Sequence, residues 1–114
     1  MTLPNTPQGA LSHLKVLDLS RVLAGPWCTQ MLADLGADVV KVERPLAGDD
    51  TRHWGPPFMP GADDRPTQDA TYFTACNRNK RSITIDMAKE EGQALIRQMA
   101  VRSDILVENF KVGG

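Results

Sequence analysis

Residues Lys15 to Pro45 read KVLDLSRVLAGPWCTQMLADLGADVVKVERP, and their patterning decides the fold. Val16, Leu17 and Leu19 make a short apolar run broken only by Asp18, which suits a parallel strand covered on both faces. Ala24-Gly25-Pro26 is a turn signal, with Pro26 suited to the first helical position, where its missing N–H costs nothing. Trp27, Met31 and Leu35 then fall on one helical stripe, with Cys28 and Leu32 beside it, the spacing of an amphipathic helix. Gly36 suits the left-handed residue that ends a helix. Val39, Val40 and Val42 form a second, β-branched strand closed by Glu43, Arg44 and Pro45, with the turn chemistry expected there. The unit is βαβ, and a right-handed crossover sets its strands parallel with the helix on one face.

Such a unit offers a ligand edge. Backbone N–H groups around Gly25 to Cys28 open the helix, and the dipole there favours a phosphate or carboxylate. Ligands of open α/β sheets sit beyond the carboxyl ends of the strands. The Arg21–Pro26 loop and the Glu43–Pro45 corner both lie at that edge. Two nucleotide readings follow. Glu43 ends the second strand at about the separation of a ribose-binding acid, but the turn has no G-x-G-x-x-G, which counts against NAD. The other is a ligand with several phosphates met by Arg44. The plainer alternative is that Arg44 is a solvated surface charge.

At 114 residues the chain is one domain at most. Its formal net charge of −1 carries no basic excess for nucleic acid or an anionic membrane, and no apolar run is long enough to span a bilayer. Met1 to Ser12 lacks the pattern of a signal peptide; residues 1–13 are expected to be a loose arm and residues 14–114 the α/β portion. Cys28 and Cys76 are far apart with no C-x-x-C, which suits reduced, packed thiols in a cytoplasmic protein.

Leu46 to Ala70 is rich in proline and glycine, with a periodicity of neither 2 nor 3.6, and reads as a long loop. Within it Arg52, His53 and Trp54 form a candidate site for an anionic substrate, with His53 able to carry a proton near neutral pH. The alternative is an ordered surface loop with Trp54 tucked beneath it. Asp49 and Asp50 lack a third carboxylate at metal-loop spacing, so no metal is expected. Tyr72, Phe73 and Cys76 share one face of a short helix over 70–76. Asn77-Arg78-Asn79-Lys80-Arg81 is either a turn-rich connector or a cationic rim for phosphates. Ser82 to Met87 reads as a strand with Ile83 and Ile85 on one face. Asp86 is placed as the N-cap of a helix over 88–102. That helix has Leu95, Ile96, Met99 and Ala100 as its apolar face, and Gly92 marks close packing. Asp104 to Phe110 completes a second βαβ unit. The fold class is α/β, an open parallel Rossmann-like sheet with flanking helices, incomplete. Asp34 and Asp38 read as surface charges.

The run RVLAGPWCTQMLADLGADVVKVERP, followed in order by GDDTRHWGPPF, NRNKRSITIDM and VENF, resembles the N-terminal part of the class III CoA transferases. The likeness extends from Leu14 onward. It implies coenzyme A or an acyl-CoA along the strand ends. Val22, Leu23 and Ala24 would approach the pantetheine arm and thioester, and Arg44 the nucleotide end. Ile85, Asp86, Met87 and Ala88 would line adenine and ribose, and Asn109, Phe110 and Lys111 the edge near the pantetheine. Formyl-CoA transferases carry glutamine where Leu23 stands, and leucine cannot hydrogen-bond an acyl oxygen. The GDDTRHWGPPF stretch looks closer to transferases that use succinyl-CoA with a dicarboxylate acceptor, whose distal carboxylate Arg52 would meet. The resemblance further implies an interlocked homodimer and covalent catalysis by an aspartate expected downstream of Gly114. The rival readings are an α-methylacyl-CoA racemase of the same family and a nucleotide-binding or interaction module without chemistry.

Overall fold

The computed structural model describes residues 8–113. Four strands make one wholly parallel sheet: β1 (Lys15–Asp18), β2 (Asp38–Glu43), β5 (Arg81–Thr84) and β6 (Ile105–Val107), in the order β5-β2-β1-β6. Helix α1 (Ala24–Asp34) joins β1 to β2, and α3 (Glu90–Val101) joins β5 to β6. Successive side chains of a strand point to opposite faces, and the two cores follow from that alternation. Val16 and Val39 pack with Ala33 and Leu32 of α1, while Leu17, Leu19 and Val42 pack with Ile96, Met99 and Ala100 of α3. The helices therefore cover opposite faces of an α/β sheet with flanking helices.

The second βαβ connection differs from the first in reach. β1 and β2 are neighbours, whereas β5 and β6 are the two edges, so α3 carries the chain across the whole sheet. The strand order reverses between β1 and β6, which makes the carboxyl ends of those two strands the natural ligand position.

Several boundaries move from their expected places. Residues 46–70 are not an irregular loop. They hold a 3₁₀ helix (Asp50–His53) and an antiparallel hairpin of β3 (Phe58–Pro60) and β4 (Pro66–Ala70). The Asp49 carboxylate accepts from the Thr51 N–H at 3.0 Å and starts the 3₁₀ turn, and the hairpin's prolines hide its alternation from a periodicity reading. Pro26 is the third residue of α1 rather than the first; it is tolerated because no first-turn N–H has a partner inside the helix. The Trp27 N–H already donates to the Leu23 carbonyl at 2.8 Å, so the opening expected at Gly25 to Cys28 is narrower. Gly36 does end α1 in the left-handed region, at φ 105°.

The stripe of α1 also faces the other way. Trp27, Met31 and Leu35 stay about half exposed, at 53%, 56% and 53%, and the buried face carries Gly25, Pro26, Thr29, Gln30 and Ala33. Thr29 turns inward because its hydroxyl donates to the Asp18 carboxylate, and Gln30 because its amide oxygen accepts from the Arg78 N–H. On α3, Leu95 is half exposed, while Ile96, Met99 and Ala100 turn inward. Ile83 is exposed on the edge strand and Ile85, just past it, is buried, so the two do not share one covered face. Asp86 does not cap α3. Its carboxylate accepts from the Ala88 N–H at 3.0 Å in the preceding turn, and Lys89 holds the cap position. Cys76 is packed as expected, but Cys28 is exposed. Of the stretch expected to be a loose arm, residues 1–7 lie outside the described residues. Leu11 donates to the Leu35 carbonyl at 2.9 Å and packs on the α1-side core.

Short helix α2 (Thr71–Asn77) follows the hairpin and presents Cys76 to the interior. Gly92 is a close approach of α3 to the turn after β5, for a Cβ there would lie 1.9 Å from the Asp86 carbonyl oxygen. Gly92→Ala is therefore expected to lower stability by about 1–3 kcal/mol through forced displacement of α3, against a gain of about 1 kcal/mol from helix propensity alone. Urea unfolding decides between the two signs.

Candidate nucleotide-binding edge

The carboxyl ends of the four parallel strands sit over a buried lattice of charges. Asp18, at the end of β1, pairs with Lys80 at 3.0 Å and accepts from the Thr29 hydroxyl at 2.6 Å. Lys41 of β2 pairs with Asp49 at 2.9 Å and donates to the Ser20 carbonyl at 3.0 Å, with both side chains 1% exposed. Glu43, the last residue of β2, receives two bonds of 2.7 Å from Arg52 and a third from Ser82, and accepts from the Asp49 N–H at 2.9 Å. No buried side-chain nitrogen or oxygen among the described residues lacks a partner. Buried charges persist only under such complete pairing.

The electrostatics follow from these partners. Burial works against the Glu43 carboxylate, but the Arg52 and Ser82 hydrogen bonds outweigh it and hold Glu43 at about 2. At Asp49, burial is outweighed by the Thr51 N–H and by Lys41, and the carboxyl sits below its usual range. Asp18 is lowered as well: burial opposes its charge, and Lys80 with the Ser20 and Thr29 hydroxyls overcomes that. For Lys80 the balance runs the other way, because burial outweighs the Asp18 carboxylate and lowers the ammonium's pKa.

Above this lattice, on the α3 side of the sheet, opens a cleft of about 780 Å3. Its apolar lining comes from Leu19, Val42, Met87, Ile96 and Phe110; its charged lining is Arg21, Arg44, Arg97 and Lys111 on the rim, with Lys41 and the paired carboxylates Glu43 and Asp49 of the lattice below. It lies at the strand-order reversal, bounded by the residues that follow β1, β2, β5 and β6. Arg44 is steered by its own turn, with Nε donating to the Gly48 carbonyl at 3.0 Å and Nη2 paired to Asp50. An apolar floor with a cationic rim suits a flat heterocycle joined to phosphates.

Of the residues expected from the sequence, Arg44, Met87, Ala88, Phe110 and Lys111 come together here. Val22, Leu23 and Ala24 stand beside the cleft, on the loop after β1 and the first turn of α1. Ile85 is buried in the α3-side core. Asn109 bonds the backbone of Arg21 rather than lining the cleft. Arg52 and His53 line a smaller neighbouring hollow of about 320 Å3 with Arg44. There Arg52 is engaged by Glu43 and Asp69 and lies 3.7 Å over the Phe73 ring, while His53 Nε2 is 2.9 Å from the Ala47 carbonyl. Trp54 meets Tyr72 edge-on at 5.3 Å but stays about half exposed, so it is not tucked beneath the loop.

Arg21, Gln93 and Arg97 join the cleft without having been singled out as site residues, and Ile96, expected only as part of the apolar face of α3, lines it too. Arg97 and Gln93 lie on the cleft side of α3, a helical spacing that was legible in principle. The cationic run Arg78-Asn79-Lys80-Arg81 is structural. Arg78 pairs with Asp34 and Arg81 with Asp38, each at 2.7 Å, and Lys80 is spent on Asp18. Asp34 and Asp38 are thus anchors for the strap that leads into β5.

The fold and the edge together define an α/β protein with a candidate ligand edge at its strand ends, and comparison with known proteins gives the family. Residues 11–114 match CoA-transferase family III, and the chain belongs to that family. It is 55% identical over 104 residues to the succinate–glutarate CoA-transferase of Agrobacterium fabrum, covering 91% of this chain and 26% of that protein. It is 48% identical over 103 residues to the formyl-CoA:oxalate CoA-transferase of Escherichia coli, covering 90% and 23%. The crystal structure of a CaiB/BaiF family protein from Brucella suis superposes with a TM-score of 0.85 at 55% identity, over 95% of this chain and 28% of that one. The chain thus spans about a quarter of the length of the curated relatives it matches. Among the described residues no helix is long and apolar enough to cross a membrane.

Proposed function

We propose that the chain supplies the nucleotide-binding edge of a cytoplasmic, homodimeric CoA transferase that moves CoA from an acyl-CoA, succinyl-CoA in the first instance, to a carboxylic acid. The observation that carries the reading is the apolar cleft rimmed by Arg21, Arg44, Arg97 and Lys111 at the strand-order reversal. Coenzyme A fits its chemistry: adenine takes the apolar floor, and the 3′-phosphate and diphosphate take the guanidinium rim. The pantetheine arm then runs along the strand ends toward Val22, Leu23 and Ala24. Leucine at position 23 offers no side-chain donor to an acyl oxygen, which favours a succinyl over a formyl donor. Both transferase types are among the similar proteins, and the apolar side chain of Leu23 is what inclines the reading toward the succinyl donor.

In the proposed reaction an aspartate downstream of Gly114 attacks the thioester carbonyl and CoA leaves as thiolate, giving a mixed anhydride. The thiolate attacks the aspartyl carbonyl of the anhydride, releasing the donor acid and leaving an enzyme thioester. The acceptor carboxylate repeats the sequence in reverse, taking the CoA and restoring the aspartate. The residues described here bind and orient the nucleotide, and the 114-residue chain alone turns over nothing. Calorimetric titration tests this. CoA is expected to bind and NADH not to bind, and Arg44→Ala or removal of the 3′-phosphate should each weaken CoA by roughly tenfold or more, the scale of one lost charge-assisted contact. NADH binding as tightly as CoA would return the dinucleotide reading.

A further inference from the structure

We infer that Asn109 is a positioning residue: its side-chain amide clips the backbone of Arg21, and so sets the loop that brings Arg21 to the cleft. This rests on the nucleotide reading of the cleft and adds a residue that acts without touching the ligand. Asn109 Oδ1 accepts from the Arg21 N–H at 3.0 Å, and its Nδ2 donates to the Arg21 carbonyl at 2.8 Å. The pair reproduces a strand bridge with a side chain. It lies just beyond the last backbone bond between these segments, from the Leu19 N–H to the Val107 carbonyl at 2.8 Å. It therefore spans the gap between β1 and β6 where the strand order reverses.

The loop it holds is over-determined. The Ser20 N–H donates to Asp18, the Ser20 carbonyl accepts from Lys41, and the Val22 N–H reaches Asp49 at 3.3 Å. Every backbone polar group from the Ser20 N–H to the Val22 N–H thus has a side-chain partner. Val22 sits at φ 73°, a conformation that a β-branched residue rarely adopts and that persists only where the surroundings impose it. Lys41, Asp49 and Asp18 are buried and serve the fold as well. Asn109 is exposed, and its amide is taken at both ends by the loop. Its work is therefore separable from stability, and it differs from the direct ligand contact implied by family resemblance.

Amide exchange and CoA titration of the whole chain test the clip together. Asn109→Ala should speed exchange at Arg21 and Val22 while Leu17 and Val39 keep their protection, and should weaken CoA by about tenfold, the scale of two lost hydrogen bonds. Asn109→Asp keeps the acceptor and loses the donor, and should fall between. Because the residue acts through Arg21, the double variant Arg21→Ala with Asn109→Ala should bind CoA no more weakly than Arg21→Ala alone. Multiplying effects would mean that Asn109 touches the ligand, and unchanged exchange would mean that no clip exists; either overturns the inference. A wild-type chain that binds no CoA would overturn the nucleotide reading and this role with it, whereas CoA binding untouched by Asn109→Ala would overturn this role alone.

Discussion

Lys41→Met is expected to cost about 3–5 kcal/mol, a large share of the stability of a chain this size, because it leaves a buried carboxylate without its cation. Lys41 and Asp49 are each 1% exposed at 2.9 Å. Asp49 also receives the Thr51 N–H and hydroxyl and the Val22 N–H. The orphaned charge would therefore sit at the joint between the β1 loop and the 3₁₀ turn. Adding Asp49→Asn removes the charge and keeps an acceptor for Thr51, so the double variant should regain part of the loss. Urea unfolding followed by far-ultraviolet circular dichroism measures both. A loss below about 1 kcal/mol for Lys41→Met would be the behaviour of a surface pair and would contradict the buried lattice.

Acid should unfold the chain in a defined window. Glu43, Asp18 and Asp49 all have folded pKa values below their ordinary ones. A depressed carboxylate contributes stability that is complete above its unfolded pKa and is lost as pH falls toward its folded one. For Glu43 the window runs from 4.5 down to about 2, and its share is on the order of 3 kcal/mol by linkage. Asp18 and Asp49 lose theirs as pH falls below 3.8. Denaturant melts at stepped pH should show stability level above pH 5 and falling steeply below 4.5. Glu43→Gln should flatten part of that fall while lowering stability near neutrality, since Arg52 then loses its charged partner. A flat profile down to pH 3 would mean that these carboxylates are not held as described.

The parallel sheet and its ligand edge were legible because buried parallel strands write themselves as β-branched runs, and because Gly36 and the Ala24-Gly25-Pro26 turn punctuate the first crossover. The orientation of α1 was not legible. Trp27, Met31 and Leu35 look like a core stripe, but Thr29 turns inward to the Asp18 carboxylate and Gln30 to the distant Arg78 N–H, partners that no local pattern reveals. Asp18 and Lys41 did carry a signal, as opposite charges inside apolar runs, and they are register partners across β1 and β2. Their ion-pair partners, Lys80 and Asp49, lie far along the chain, where no local pattern points to them. The 3₁₀ turn and hairpin in residues 46–70 were hidden for a related reason: side-chain caps and prolines, rather than periodicity, define them. At the cleft, residues on strand ends were found from topology and family motifs. Arg21 and Arg97 were missed because a lone arginine on a loop or an outer helix face reads as a solvated charge until the fold places it.

An amide chemical-shift titration of the isotope-labelled chain with CoA, run beside dephospho-CoA, addresses the cleft itself. Shifts are expected to gather at Leu19, Arg21, Arg44, Met87, Ala88, Phe110 and Lys111, with those near the guanidinium rim reduced for the ligand lacking the 3′-phosphate. Shifts confined to the outer face of α1, or a spectrum that CoA leaves unchanged, would contradict the assignment of this edge as the nucleotide site.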